Sequence, residues 1–173
     1  MKITEIKPGK PATWEKTQVV KIFLAGTIDM GNSDDWQKII VKNLADAFSK
    51  NESLLLESNI VVFNPRRDTN DAKVFYENMG ENYDAVRYQI MWEQERLDEA
   101  DIIFMNILPD SYSPITLMEL GLYANSGKLI VCCPEKFYRF CNVEITCNKY
   151  NIPLYTTLEE GYAQLCKKIL RLK

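Results

Sequence analysis

The sequence predicts a single-domain α/β protein with a doubly wound, five-stranded parallel sheet in the flavodoxin-like strand order 2-1-3-4-5. The first indication is the alternation of short apolar runs with longer segments of helical periodicity, which is typical of β-α-β units. The second is that each apolar run is nearly continuous, as expected for strands that helices cover on both faces. A length of 173 residues suits one domain. Right-handed crossovers then favour the doubly wound arrangement.

Five strands and an N-terminal arm are predicted from the apolar runs. The runs are 19–25, 60–63, 101–108, 128–133 and 152–155. Gly26 ends the first strand, and Asn64 with Pro65 ends the second. Residues 1–18 contain two prolines and a glycine and are predicted to form an irregular arm, with one domain over 19–173.

Five helices are predicted from caps and apolar spacing. They run from Ser33 to about Lys50, over 82–100, from Ser113 to near Gly127, over about 141–150 and from Thr157 to Leu170. The residues expected to face the core are Trp36, Ile39, Ile40 and Leu44 in the first helix, and Tyr83, Val86, Ile90 and Leu97 in the second. Residues 66–80 lack a clear period and are predicted to form a long loop that acts as a lid.

The composition excludes several classes of site. The chain has no histidine, so a Ser-His-Asp or Cys-His arrangement and a His-ligated zinc are impossible. The net charge of −3 with no basic cluster argues against a nucleic acid polymer as partner. A zinc site of Cys132, Cys133, Cys141 and Cys147 fits no common spacing. We therefore expect buried free thiols, no metal and no cofactor.

The hydrophobic segments are all short. No apolar run approaches the roughly 20 residues of a membrane span. The N-terminal MKITEIKPGKPATWEK lacks the apolar region of a secretory leader. We therefore expect a cytoplasmic protein without a membrane partner.

The predicted topology places a ligand site at the carboxyl ends of the strands, near the point where the strand order reverses. The candidate binding residues there are Gly26, Thr27, Ile28, Asp29, Asn64, Arg66, Arg67, Asp110 and Ser113. The Gly26-Thr27 turn lets a ligand approach backbone amides, but the sequence lacks a G-x-G-x-x-G dinucleotide pattern.

Glu119 is the only charged residue in an otherwise apolar helical segment, 115–126. A helix that is apolar on all sides is buried, and an ionised carboxylate without a partner is costly to bury. The carboxylate therefore either serves a function at the edge of the sheet or forms a structural ion pair with an arginine such as Arg66, Arg67 or Arg96.

Glu93 occupies a position on the apolar stripe of the second helix, between Ile90 and Leu97. Either it faces the site, or the helix rolls slightly and its carboxylate reaches water. Two inward acids without a histidine suggest chemistry at an acetal-like carbon, where one carboxylate attacks and another acid handles the proton.

Arginines and aromatic residues near the predicted site allow two interpretations each. Arg66 and Arg67 either clamp a phosphate or carboxylate, or are loop charges or partners of Glu119. The aromatic residues Trp36, Tyr76, Tyr88 and Trp92 either stack on a base or belong to the core.

Five segments in this order resemble the nucleoside 2-deoxyribosyltransferase-like family. They are KIFLAGTID, Trp36, VVFNPRRD, QIMWEQERLDEADIIFMNI and MELGLYANSGKLIV, and they extend the resemblance from about Lys21 to Leu158. The stretch from Glu93 to Gly127 is the most specific part. The resemblance implies that Glu119 is a nucleophile that attacks the anomeric carbon of a 2-deoxyribonucleoside and holds the sugar until an acceptor base arrives.

The resemblance also implies roles for three other positions. A second acid of the family matches Glu93, where many members carry aspartate. An acid near the start of the nucleophile helix matches Ser113, so this chain departs from the family there, with Asp110 three residues earlier. Asn142, in Asn142-Val143-Glu144, is the candidate for a C-terminal sugar contact. Family members are typically oligomeric, so we expect a homo-oligomer, at least a dimer.

Three functions are compatible with these features. The first is N-glycosyl transfer between nucleobases, with a nucleoside or nucleotide and a nucleobase as small-molecule partners. The second is an N-glycosidase that hydrolyses nucleosides or their 5′-monophosphates. The third is a nucleotide-binding module that keeps the fold without turnover and is stabilised by its ligand.

Overall fold

The computed structural model of the protein describes residues 3–10, 19–49, 59–68 and 83–172. The strands are β1 (Ile3–Ile6), β2 (Val19–Gly26), β3 (Asn59–Phe63), β4 (Ile102–Asn106), β5 (Leu129–Cys132) and β6 (Leu154–Tyr155). The helices within the described residues are α1 (Trp36–Ser49), α2 (Tyr83–Glu99), α3 (Pro114–Tyr123), α4 (Phe140–Tyr150) and α5 (Leu158–Arg171). Residues 69–82, which include most of the predicted lid and Tyr76, lie outside the described ranges.

All six strands are parallel neighbours in one sheet with the order β1-β3-β2-β4-β5-β6. The prediction of five strands was wrong in number and therefore in order, although the α/β class and the parallel sheet are confirmed. The difference is β1, which pairs with β3 from Ile3 opposite Ile60 to Ile6 opposite Phe63. The predicted irregular arm is therefore a strand over 3–6, where the four residues ITEI are too few and do not alternate between apolar and polar.

Two apolar layers cover the two faces of the sheet because side chains alternate along each strand. On one face, Phe23 of β2 and Met105 of β4 pack with residues of α2, α3 and α4. On the other face, Leu24 and Phe104 pack with residues of α1 and α5. Helices on both faces of a parallel sheet confirm the predicted architecture, and they leave the carboxyl ends of β2 and β4 open between α2 and α3.

The inward face of α2 differs from the predicted stripe. Tyr83 is 69% exposed and Ile90 is 48% exposed, whereas Gln89, Trp92 and Leu97 are buried. Of the predicted stripe, Leu97 is buried and Val86 is half-buried, so the prediction was wrong at Tyr83 and Ile90. Trp92 packs against Phe23 and Phe63, so the side of α2 that carries Trp92 faces the sheet. The predicted stripe lies on the neighbouring side of the same helix.

Candidate functional site

A cavity of about 410 Å³ opens at the carboxyl end of β2, between α2 and α3. Its wall consists of Phe23 and residues 25–29 at the end of β2, Pro65 after β3, one side of α2, and one side of α3 with Ser113 before it. The carboxyl edge of the sheet is where ligands bind in doubly wound folds, and a cavity of this size accommodates a small organic ligand. The site that the topology predicts is therefore a real concavity.

The turn after β2 is tight because Gly26 is in close contact with the neighbouring strand. Its φ is +137°, and a Cβ atom there would lie 2.0 Å from the carbonyl oxygen of Asn106. The backbone N–H of Thr27 donates a hydrogen bond to the same oxygen over 3.0 Å. The indole Nε1 of Trp36 donates to the Thr27 carbonyl over 2.9 Å, so α1 holds the turn in place.

Glu119 is buried in the wall of this cavity, with only 8% of its surface exposed. Burial raises the pKa of its carboxyl to about 8, and the nearby carboxylate of Glu93 contributes in the same direction. None of the described lysines or arginines forms an ion pair with it. The alternative of a structural ion pair with Arg66, Arg67 or Arg96 therefore finds no support among these residues.

The folded state therefore binds a proton at Glu119 that the unfolded chain releases near pH 4.5. Stability is expected to fall as the pH rises from about 4.5 to about 8, because over this range only the folded protein keeps the proton. Glu119→Gln has no such proton, so at pH 8 it should be more stable than the wild type by an amount on the order of a few kcal/mol. At pH 4 the two proteins should be nearly equal.

Chemical denaturation of both proteins across this pH range measures the difference. Glu144→Gln, at an exposed position of α4, is the matched control and should follow the wild type. Identical pH dependence of Glu119→Gln and the wild type would show that Glu119 is ionised in the folded protein.

Glu93 lies in the same wall and is held by a short chain of hydrogen bonds. Gln89 donates from Nε2 to the Glu93 carboxylate over 2.7 Å and to the Pro65 carbonyl over 3.1 Å. The guanidinium of Arg67 donates to Gln89 Oε1 over 2.8 Å, which fixes the orientation of the amide. Burial raises the pKa of Glu93, while the bond from Gln89 and the charge of Arg67 oppose this shift.

Replacing Gln89 with leucine removes the donor to Glu93 and an acceptor of Arg67. We expect the free energy of unfolding to decrease by about 1–3 kcal/mol. The decrease should be larger at pH 8 than at pH 5, because the amide stabilises the ionised carboxylate. Guanidinium denaturation at the two pH values measures it. Gln94→Leu is the control, since Gln94 is an exposed residue of the same helix, and an equal effect of the two variants would contradict the role of Gln89.

Three hydroxyl groups form a buried cluster beside the start of α3. Ser113 precedes α3 with a left-handed backbone, φ +44°, and its Oγ lies 2.6 Å from Thr27 Oγ1 and 2.8 Å from Ser111 Oγ. Thr27 and Ser113 line the cavity, whereas Ser111 lies behind them. The cluster joins the turn after β2 to the start of α3, so both segments that carry the predicted site move as one unit.

Arg66 and Asn64 are used in the scaffold. Arg66 is 7% exposed, and its guanidinium donates to the carbonyls of Gly31, Ser33 and Asp34. The side-chain oxygen of Asn64 accepts a hydrogen bond from the backbone N–H of Arg66 over 3.0 Å. Neither residue lines the cavity, so the interpretation of Arg66 as an anion clamp is not supported.

The remaining predicted residues divide between the cavity and other places. Ile28 and Asp29 line the cavity. Asp110 and Asn142 are exposed and lie outside its wall. Trp36 is 2% exposed and packs against Phe104, which corrects the interpretation that it stacks on a base. Of the other aromatic candidates within the described ranges, Trp92 is buried in the core and Tyr88 is more than half exposed, and neither lines the cavity.

Sequence analysis missed several residues of the wall. Gln89 was not identified, because a glutamine within a helix gives no local signal of its contacts. Tyr123, whose hydroxyl donates to Asp98 over 2.7 Å, also lines the cavity. The expectation that α3 is buried on all sides was wrong, because Ile115, Met118 and Leu122 are at least half exposed. These three apolar side chains, which were expected in the core, lie at the rim of the cavity.

The charge of the cavity wall is negative. Asp29, Glu93 and Glu119 line it, and no lysine or arginine is among the described residues of the wall. The described ranges also hold no group of three potential metal ligands, and none of their helices has the length and apolarity to span a membrane. Two carboxyl groups in a wall without a fixed cation favour an uncharged ligand. Such a ligand can exchange a proton with one of the carboxyl groups.

None of the cysteines in the described residues forms a disulfide bond. Cys132, Cys133 and Cys147 are buried, as predicted, while Cys141 is exposed. Burial raises the pKa of Cys132 and Cys133 to about 12, so both remain thiols at neutral pH. A thiol in this state is a poor nucleophile.

Comparison with known proteins identifies one family. A family model described as "nucleoside 2-deoxyribosyltransferase like" matches residues 19–137, more than half of the chain. The matched range includes the turn after β2, both cavity glutamates and the hydroxyl cluster. No curated protein matches the chain.

Proposed function

Because the chain belongs to the nucleoside 2-deoxyribosyltransferase-like family, we propose that it transfers a 2-deoxyribosyl group between nucleobases through a covalent ester on Glu119. The observation that supports this most strongly is the position of Glu119 in the cavity wall, buried beside a second acid and without a cation. A carboxylate in such a place is activated by the lack of water and of ion partners once it is ionised.

The reaction proceeds as two displacements at one carbon. A carboxylate oxygen of Glu119 bonds to the anomeric carbon while the glycosidic C–N bond breaks, and the bonding electrons leave with the base, which takes up a proton. A nitrogen of the acceptor base then attacks the same carbon and releases Glu119. Two inversions retain the configuration at the anomeric carbon.

The protonation states of Glu119 and Glu93 determine which proton transfer has to precede the attack on the sugar. In the empty cavity Glu119 holds a proton, since its pKa is raised to about 8. The hydrogen bond from Gln89 favours the ionised form of Glu93. Before attack, the proton of Glu119 has to move to Glu93 or to the base, so that Glu119 is a carboxylate and the leaving base finds an acid. Because the acids interact, they titrate as a pair.

The absence of a cation from the described wall favours a neutral nucleoside over a 5′-monophosphate as donor. A phosphate would face the acidic side chains of Asp29 and Glu93 and would be repelled unless cations were supplied from elsewhere. Base transfer also requires that water be kept from the ester, and the apolar rim of Ile115, Met118 and Leu122 offers a surface for covering the cavity. A homo-oligomer is proposed in line with the family.

The second candidate function is hydrolysis, which the exposure of the rim favours. Ile115 is 57% exposed and Leu122 is 65% exposed in the described chain, so water reaches the entrance. Water that replaces the acceptor base on the same ester yields free 2-deoxyribose. The two functions share Glu119 and the first displacement, and they differ only in the second nucleophile.

Product analysis separates the candidates. The protein is incubated with 2′-deoxynucleosides or their 5′-monophosphates, with and without adenine or cytosine, and the products are separated by liquid chromatography. New nucleosides that form only with an added base are the expected result. Free base formed equally without an acceptor would replace transfer by hydrolysis. Stabilisation by the ligands without base release would leave a binding module.

A further inference from the structure

In the hydroxyl cluster of Thr27, Ser111 and Ser113, the donor and acceptor of each hydrogen bond can be assigned by counting the hydrogen atoms. The three oxygen–oxygen distances are 2.6 Å for Thr27–Ser113, 2.8 Å for Ser111–Ser113 and 3.0 Å for Thr27–Ser111. Two further bonds anchor the cluster to one backbone residue. The N–H of Leu108 donates to Thr27 Oγ1 over 3.0 Å, and Ser111 Oγ donates to the Leu108 carbonyl over 2.8 Å.

Each hydroxyl has one hydrogen, and the carbonyl of Leu108 can only accept. The hydrogen of Ser111 is therefore used on Leu108, and Ser111 is an acceptor towards the other two hydroxyls. Two hydrogens remain for three close contacts, so one contact has none. The arrangement that leaves the longest contact empty runs from Thr27 to Ser113, from Ser113 to Ser111 and from Ser111 to Leu108.

The hydrogen of Ser113 therefore points away from the cavity. The conclusion also holds if Ser113 donates to Thr27 instead, because its hydrogen is again used within the cluster. In either arrangement Ser113, a residue of the cavity wall, keeps a lone pair outside the cluster's hydrogen bonds and has no hydrogen left to donate. A ligand group that forms a hydrogen bond with Ser113 therefore has to be the donor.

We propose that Ser111, which does not line the cavity, sets Ser113 as a hydrogen-bond acceptor and so selects ligands that place an uncharged hydroxyl donor at this position. An anionic or alkylated oxygen there would face the lone pair of Ser113 without a hydrogen between them. The proposal rests on the proposed function, since it takes the ligand to be a nucleoside whose sugar hydroxyl lies near Ser113. Ser111 is a positioning residue that acts through Ser113.

The position of Ser113 relative to Glu119 supports a contact with the sugar. The two residues are six positions apart at the start of α3, which corresponds to about 9 Å along a helix axis. Both residues line the same cavity. A sugar whose anomeric carbon is attacked by Glu119 therefore has its remaining groups within reach of the cluster.

The test is the selectivity of binding in Ser111→Ala. Calorimetry measures the dissociation constants of a 2′-deoxynucleoside and of its 3′-O-methyl and 5′-O-methyl ethers, which lack one donor each. In the wild type one of the ethers should bind about 10-fold more weakly than the parent nucleoside, the value of one hydrogen bond. In Ser111→Ala the hydrogen of Ser113 is free to turn into the cavity. The ratio of the dissociation constants of the ether and the parent nucleoside should therefore approach 1.

Two further variants show whether the effect belongs to the hydroxyl of Ser111. Ser111→Thr retains the hydroxyl and should keep the wild-type selectivity, while Ser126→Ala, an exposed serine after α3, should leave it unchanged. Equal selectivity in Ser111→Ala and the wild type, or none in a wild type that binds the parent nucleoside, would overturn the proposal.

Base exchange by the wild type, measured in parallel, separates this failure from a failure of the proposed function. Exchange that persists when the selectivity test fails removes only the role of Ser111. Selectivity without exchange would retain that role and remove the transferase, and a wild type that binds no deoxynucleoside would overturn both.

Discussion

Glu119→Gln is expected to lower the rate of base exchange by about 10³-fold or more, while the protein remains folded. Glutamine has nearly the same shape, but its amide is not a nucleophile and cannot form the ester. Because the carboxyl of Glu119 is already protonated in the empty cavity at neutral pH, the neutral amide should be accommodated without rearrangement. The loss should therefore appear in kcat more than in KM.

Chromatographic exchange assays with wild type and variant measure the effect. Glu144→Gln, the exposed control on α4, should exchange bases at the wild-type rate. Mass spectrometry of wild-type protein mixed with substrate in the absence of an acceptor should detect a deoxyribosyl adduct on the peptide that contains Glu119. A Glu119→Gln variant with more than a tenth of the wild-type rate would contradict the assignment of the nucleophile.

Gly26→Ala is expected to destabilise the protein by about 3 kcal/mol or more. Two effects act together, since φ is +137° and the added Cβ would lie 2.0 Å from the backbone oxygen of Asn106. Asn106 belongs to β4, the neighbouring strand in the middle of the sheet, so it cannot move without breaking the pairing between β2 and β4. The substitution should separate these strands at the floor of the cavity.

Guanidinium denaturation followed by circular dichroism measures this loss. The matched control is Gly121→Ala, because a Cβ at Gly121 meets no atom within 4 Å and the residue lies within α3. Alanine there should leave stability unchanged or raise it by up to about 1 kcal/mol, as expected from helix propensity. A Gly26→Ala variant within 1 kcal/mol of the wild type would show that the turn adapts, and its role in shaping the cavity would have to be abandoned.

Glu119 and Gln89 differ in whether the neighbouring residues in the sequence reveal their importance. Glu119 was detectable because a single charge within an apolar helix is costly to bury, and this anomaly is visible in the twelve residues 115–126. Gln89 gave no signal, because a polar residue in a helix is ordinary until its neighbours are known. Its importance arises from Arg67 and Pro65, more than 20 positions away in sequence.

The interpretation of Arg66 failed for the same physical reason. Two adjacent arginines after a strand are compatible with an anion clamp, and nothing local distinguishes this from a structural role. The carbonyls that bind Arg66 belong to residues 31–34, which approach only because β2 and β3 are neighbours in the sheet. Arg67, one position further along, contributes instead to the hydrogen-bond chain of Glu93.

The sequence by itself determined the α/β class, the parallel sheet, the edge at which the cavity opens and the candidacy of Glu119. These properties follow from periodicity and from the cost of burying charge, which act over neighbouring residues. The tertiary structure alone decided the pairing of β1, the inward face of α2 and the hydroxyl cluster. Thr27 and Ser111 are 84 positions apart, and a hydrogen bond between them exists only because the folded sheet brings β2 beside β4.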